Sequence, residues 1–296
     1  MAEPTGEVVA AAVLGHQPTI MLPEQQRVSL GGGADTTLAT GFAAVREHLD
    51  ATDADTFVIF DTHWFTTFEH VLAGQDHHRG VFTSEEVPRV ICDHEFDYPG
   101  APGLAKLVHG VAKERGMRTT NVTTPHFPYH YPTLNLVHWL RRDEQVLSIG
   151  ICQTAEAADY LAFGEALGEA VTRSDRRVAL LGSGGLSHRF WPLTELPEHM
   201  GYGPEHVISD DARAMDRRIL DLWRSGNHAA VIDLYPELRA LSPEGRFGHY
   251  LMLVGAIGGR ACHAPAIQLS EYEASVGTGQ VHAWFDLTRD ERGTDR

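Results

Sequence analysis

Apolar and polar positions along this chain repeat at two periods. Short runs rich in Val, Ile, Leu and Ala occur at 7–15 (EVVAAAVLG), 56–64 (TFVIFDTHW), 145–152 (QVLSIGIC), 177–185 (RVALLGSGG) and 277–287 (GTGQVHAWFDL). Continuous apolar runs of this length fit strands covered on both faces, as in a parallel sheet. HVLAG, at 70–74, extends a neighbouring strand. Between the runs the period changes. Apolar residues at 104, 107, 108 and 111 of the stretch 103–116, and Ile208, Ala212, Met215, Ile219 and Leu222 of the stretch 205–225, form helical stripes. Helices are also predicted at 39–50, at 155–173, and in HAAVIDLYPEL and GHYLMLVGAIGG. Residues 76–101 show little periodicity and read as a long loop, of a length that suits a covering over an active site. The alternation predicts an α/β fold: a single domain with a central mixed, largely parallel sheet flanked by helices, and an active site at the strand C-terminal ends. No repeat, low-complexity linker or composition break interrupts it. One domain is therefore expected over 8–287, with residues 1–7 and the charged 288–296 as tails.

Composition narrows the partners. The chain has 296 residues, 43% of them hydrophobic, which is enough to bury a full core. Its formal charge of −16 argues against a nucleic-acid partner, because binding to phosphates usually needs a basic face for counterion release. No segment approaches the roughly 20 apolar residues that cross a bilayer, and the N-terminal apolar run follows Glu3 and Glu7 instead of a basic segment. It therefore reads as a first strand and not as a signal peptide. Cys92, Cys152 and Cys262 are odd in number and far apart, so neither a disulfide framework nor a thiolate cluster is expected, and a reducing cytoplasm fits. The unusual feature is 18 histidines, which invites a search for metal ligands and acid–base groups.

The strand ends supply candidates. The first predicted strand runs into His16, the second into His63 within FDTHW, and the strand at 177–183 into His188 within GSGGLSHRF. A single histidine after a strand is ordinarily a surface or hydrogen-bonded residue. Three on parallel strands meet at one edge of the sheet, where loops build pockets. Two neutral imidazoles and one carboxylate make a facial triad that binds a first-row divalent metal and leaves positions open for substrate and O₂. Asp61 is a candidate carboxylate, but Glu271 and Glu273, in LSEYEASVGTGQ, are better placed to approach from a loop.

GHQPTI, FDTHW, GVFTSEEVPRVI, LGSGGLSHRF and SVGTGQVHAWF, in that order and spacing, resemble the class III extradiol ring-cleaving dioxygenases, the family named for the protocatechuate 4,5-dioxygenase β subunit. The likeness runs from about Val8 to Leu287 and is strongest for the branch acting on 3,4-dihydroxyphenylacetate. It implies Fe(II) held by His16, His63 and Glu271, which stands six residues before Gly277 of GTGQ, with Glu273 as the rival. It also implies O₂ as co-substrate and His188 as acid–base catalyst. Where several members carry Asp-His-Gly-Thr-Leu, this chain reads HYPTLNL at 130–136, so Tyr131 takes the histidine's place and His130 lies one residue away. For a substrate carboxylate the motifs offer Arg189, His94 and His130. Trp64, the loop 76–101 and the stretch TPHFPYHYP are candidates for aromatic walls. The resemblance implies extradiol cleavage of a substituted catechol, 3,4-dihydroxyphenylacetate foremost, by a homo-oligomer. A 2-aminophenol is the alternative substrate, and a zinc-dependent hydrolase is the alternative of another class.

Overall fold

The computed structural model describes residues 5–288. The strands are β1 (Glu7–Leu14), β2 (Thr56–Thr66), β3 (His70–Ala73), β4 (His77–Phe82), β5 (His94–Pro99), β6 (Thr119–Val122), β7 (Gln145–Cys152), β8 (Arg177–Ser183), β9 (Ala266–Gln268), β10 (Glu273–Ser275), β11 (Thr278–Gln280) and β12 (His282–Phe285). The helices are α1 (Glu24–Leu30), α2 (Thr37–Asp50), α3 (Pro102–Glu114), α4 (Tyr131–Leu140), α5 (Ala157–Thr172), α6 (Asp210–Arg224), α7 (His228–Asp233), α8 (Tyr235–Ala240) and α9 (Gly248–Ala256). The expected tails 1–7 and 288–296 fall largely outside the described residues, and β1 already begins at Glu7.

One sheet of order β6-β3-β7-β2-β8-β1-β12-β9 carries the fold. Its centre, β7-β2-β8-β1, is parallel, as the apolar runs predicted. β3 runs antiparallel to β7 and β12 antiparallel to β1, which makes the sheet mixed. Successive side chains of a strand point to opposite faces, and the two faces bury separate cores. Val58 and Phe60 of β2 pack with residues of α3, α5 and α9 on one side, and Phe57 and Ile59 pack with α2 and α4 on the other. All four are 0% exposed, and each such side chain contributes about 1.5–3 kcal/mol, so β2 is firmly anchored.

Two sequence expectations change. The segment 76–101 is not a structureless loop: β4 and β5 pair as an antiparallel hairpin with His77 opposite Pro99 and Phe82 opposite His94. Gly80 and the polar residues of β4 interrupt its alternation, which hides the strand. The stretch 277–287 is not one strand. β11 turns back on β10, and only β12 joins the main sheet.

Candidate metal centre

The register of the sheet explains how two histidines converge. Ser183, the last residue of β8, is the partner of Leu14 on one side and of Asp61 on the other. His16 and His63 each follow two residues later, so both leave the same edge flanking β8. β2 does not simply end there. Asp61 pairs with Gly150 of β7 and Phe65 with Ile151, leaving Thr62, His63 and Trp64 as a bulge. Asp61 shapes it: one carboxylate oxygen accepts from His63 N at 3.0 Å and Trp64 N at 3.1 Å, and the other accepts from Thr133 N at 3.0 Å and Thr133 Oγ1 at 2.6 Å. Gly150 faces the bulge because a Cβ there would sit 2.9 Å from the Trp64 carbonyl. Asp61 is thus occupied as a cap and holds no metal-ligand position.

The carboxylate at the centre is Glu244, which is 1% exposed. One donor atom from each of His16, His63 and Glu244 lies within 4.8 Å of the others. His16 Nε2 stands 2.9 Å and His63 Nε2 3.7 Å from Glu244 Oε1. The expectation of Glu271, with Glu273 as rival, is corrected. Glu271 is exposed, and its backbone N–H donates to Thr37 Oγ1 at 2.9 Å. Glu273 is buried, but it accepts from Thr36 Oγ1 at 2.6 Å and Thr37 N at 2.7 Å, completing the N-terminus of α2. Both residues are tied to the start of α2, Glu271 through its backbone and Glu273 through its carboxylate, and neither joins the His16, His63 and Glu244 group.

Glu244 reaches the site on an unusual backbone. Gly245 (φ 51°), Arg246 (φ 56°) and Phe247 (φ 60°) form a left-handed turn between it and α9, and Ser242 (φ 55°) precedes it. Such conformations cost non-glycine residues roughly 1–2 kcal/mol each and persist where the surroundings impose them. Here they aim one carboxylate. Its oxygens accept from Thr62 Oγ1 at 2.7 Å, Gly185 N at 2.6 Å and Gln280 Nε2 at 3.3 Å. The glycine of LGSGGLSHRF thus serves the carboxylate, and a Cβ at Gly185 would meet the Gly279 carbonyl at 2.4 Å. Burial opposes ionisation of Glu244, yet the His16 and His188 imidazoles beside it hold its carboxyl well below the usual range.

Each imidazole is held from behind. His16 Nδ1 lies 3.2 Å from Ser183 Oγ, which donates to the Pro132 carbonyl at 3.0 Å, and Asn135 Nδ2 donates to the His16 carbonyl at 3.1 Å. His63 Nδ1 lies 3.1 Å from Glu86 Oε2. Such outer partners fix the tautomer that leaves Nε2 free to ligate. Burial pushes the His63 imidazole down, but its hydrogen bonds to Glu244 and Glu86 outweigh this and carry it to about 10. A buried carboxylate flanked by two oriented imidazoles fits a divalent cation.

The other sequence candidates separate into two groups. Tyr131 OH is 3.1 Å from His63 Nε2, and its phenol is pushed up by burial. His188 Nε2 is 4.0 Å from Glu244 Oε2, its ring 6.2 Å from that of His63, and burial lowers its pKa. These two stand beside the triad. His130 and Trp64 instead stack on each other at 6.1 Å and line a small cavity with His78, Tyr98 and Phe127. His94 sits on β5 with its ring 5.3 Å from His138, and Arg189 is exposed just beyond His188. Glu244 and Glu86 escaped the sequence reading. The available signal was weak: an acid between Pro243 and Gly245 just before an apolar helix, and a glutamate in the GVFTSEEVPRVI block.

Comparison with known proteins gives the family. The family model for the catalytic LigB subunit of aromatic ring-opening dioxygenase matches residues 10–286, and the chain belongs to that family. It is an extradiol ring-opening dioxygenase. It is 29% identical to 3,4-dihydroxyphenylacetate 2,3-dioxygenase of Escherichia coli, over 86% of this chain and 91% of the relative. It is 26% identical to the 2-aminophenol 1,6-dioxygenase β subunit of a Pseudomonas species, over 96% of this chain and 95% of that one. An uncharacterized Escherichia coli K12 protein of known crystal structure shares the fold, with a TM-score of 0.57 and 16% identity over 93% of this chain and 99% of its own. Among the described residues no helix is long and apolar enough to cross a membrane.

Proposed function

We propose that the protein is an Fe(II)-dependent enzyme that opens the ring of a substituted catechol with O₂, with 3,4-dihydroxyphenylacetate as the first substrate to consider. The observation that carries the proposal is the convergence of His16, His63 and Glu244 in a chain of this family. The substrate follows the 29% identical relative, and the aminophenol relative keeps 2-aminophenol as the second reading. The chemistry such a metal supplies when bound is acidification of the ring hydroxyls and passage of electron density from the ring to O₂. His188, kept neutral by burial, takes a hydroxyl proton from the substrate and returns it when an oxygen needs protonation. Tyr131, kept protonated by burial, supplies the second hydrogen-bond donor, a role we assign to it over His130 because its hydroxyl, unlike the His130 ring, faces His63. A homo-oligomer in a reducing cytoplasm completes the reading, and the free state of Cys92, Cys152 and Cys262 supports that compartment.

The test is O₂ consumption by protein loaded anaerobically with Fe(II), using 3,4-dihydroxyphenylacetate and 2-aminophenol in parallel. Uptake with a yellow ring-opened product is expected, faster with the catechol. A protein with stoichiometric iron that consumes no O₂ with any catechol or aminophenol sinks the proposal.

A further inference from the structure

The GVFTSEEVPRVI block, which places Glu86 against His63, makes the connection between β4 and β5 a candidate lid for the site. Residues 83–93 connect β4 to β5 and are folded on themselves: Ser84 N donates to the Ile91 carbonyl at 3.0 Å, Val87 N to Ser84 Oγ at 3.2 Å, and Asp93 N to Thr83 Oγ1 at 3.0 Å. Ile91 and Ser84 are buried, and Ile91 packs into the core shared with α2 and α4. A lid built this way keeps its shape without a partner. Its polar reach toward the metal centre is made by Glu86, whose side chain is 44% exposed and whose Oε2 lies 3.1 Å from His63 Nδ1.

We propose that Glu86 is a positioning residue that couples seating of the 83–93 lid to occupancy of the His16, His63 and Glu244 site by a divalent metal. The inference rests on reading that triad as a metal site. With Nε2 turned toward Glu244, His63 can ligate only as the tautomer protonated at Nδ1, and a carboxylate at Nδ1 selects that tautomer and strengthens the imidazole as a donor. The coupling is reciprocal by linkage: whatever factor Glu86 adds to metal affinity, bound metal adds to the hold on the lid. An enzyme arranged this way closes its covering most firmly when the metal is in place.

Two measurements test it on the full chain, namely anaerobic calorimetric titration with Fe(II), or with Co(II) as a stable probe, and tryptic cleavage after the exposed Arg89 followed by mass spectrometry. In the unaltered protein metal slows cleavage at Arg89. Glu86→Ala lowers metal affinity about 10–100-fold and abolishes that protection, while Glu86→Gln, which keeps an acceptor oxygen, falls between. Both variants are expected to unfold cooperatively without metal, with a melting temperature lowered only modestly by loss of the Glu86–His63 contact, so the changes in metal affinity and in protection at Arg89 separate positioning from a folding role. Metal binding by Glu86→Ala as tight as the parent's, or equal cleavage at Arg89 with and without metal in the unaltered protein, overturns the coupling while leaving the triad intact. Absence of any metal binding by the unaltered protein instead removes the triad reading, and the coupling with it.

Discussion

At the scale of residues, His16, His63 and His188, the proposed ligands and the proposed acid–base group, were legible as a set because each follows an apolar run, where parallel strands deliver side chains to one edge. The carboxylate was not. Glu244 lies 181 residues beyond His63 on a turn that follows no hydrophobic period, whereas Glu271 and Glu273 sit near a recognisable GTGQ block and attract attention for that reason. Their actual partners, the Thr37 hydroxyl for the Glu271 backbone and the first turn of α2 for Glu273, could not be inferred without knowing that β10 packs there. The difference is measurable. Glu244→Ala is expected to lose stoichiometric metal binding, weakening affinity by at least about 100-fold through loss of one of three protein ligands. Glu271→Ala, exposed and remote, keeps the parent's affinity. Metal titration of the two variants reverses the assignment if Glu271→Ala is the one that fails.

Among elements, the central strands and the larger helices follow from period alone, and α2, α3, α5 and α6 fall within a few residues of their predicted spans. The hairpin of β4 and β5 and the division of 277–287 were missed because short strands with glycine or polar interruptions carry little periodic signal. The left-handed turn at 245–247 is hidden for another reason: Arg246 and Phe247 are residues that avoid such a backbone, and tertiary contacts impose it. Arg246→Gly relieves one strained residue and is expected to raise the metal-free protein's stability by about 1 kcal/mol, seen as a higher urea midpoint. The same change leaves the turn freer to take other conformations, so metal affinity is expected to fall several-fold. A variant both less stable and tighter binding would show that the turn does not hold Glu244 under strain.

For the whole molecule, three buried histidines clear of the metal centre set the acid limit. Burial lowers His70, His78 and His282 each to about 4. The unfolded chain protonates these groups near 6.5 while the folded one does not, so stability present above pH 6.5 is lost as pH falls toward 4 and levels off below it. Each amounts to about 3 kcal/mol at about 1.4 kcal/mol per pKa unit. Asp216, raised by burial to about 6, works the other way, gaining stability as pH falls through that value, and offsets roughly one histidine. The net expectation for metal-free protein is a urea midpoint that drops markedly between pH 6.5 and 4.5, and a flat profile across that range would contradict it. The bulge in β2 has a consequence of a different kind. A ligand carried in regular strand register can be moved only by sliding the strand, which turns every neighbouring side chain to the opposite face. Because pairing with β7 resumes at Phe65, residues 62–64 are an insert in a fixed frame. Selection, or a designer, can alter their shape and retune the surroundings of His63 while the sheet that folds the protein stays as it is.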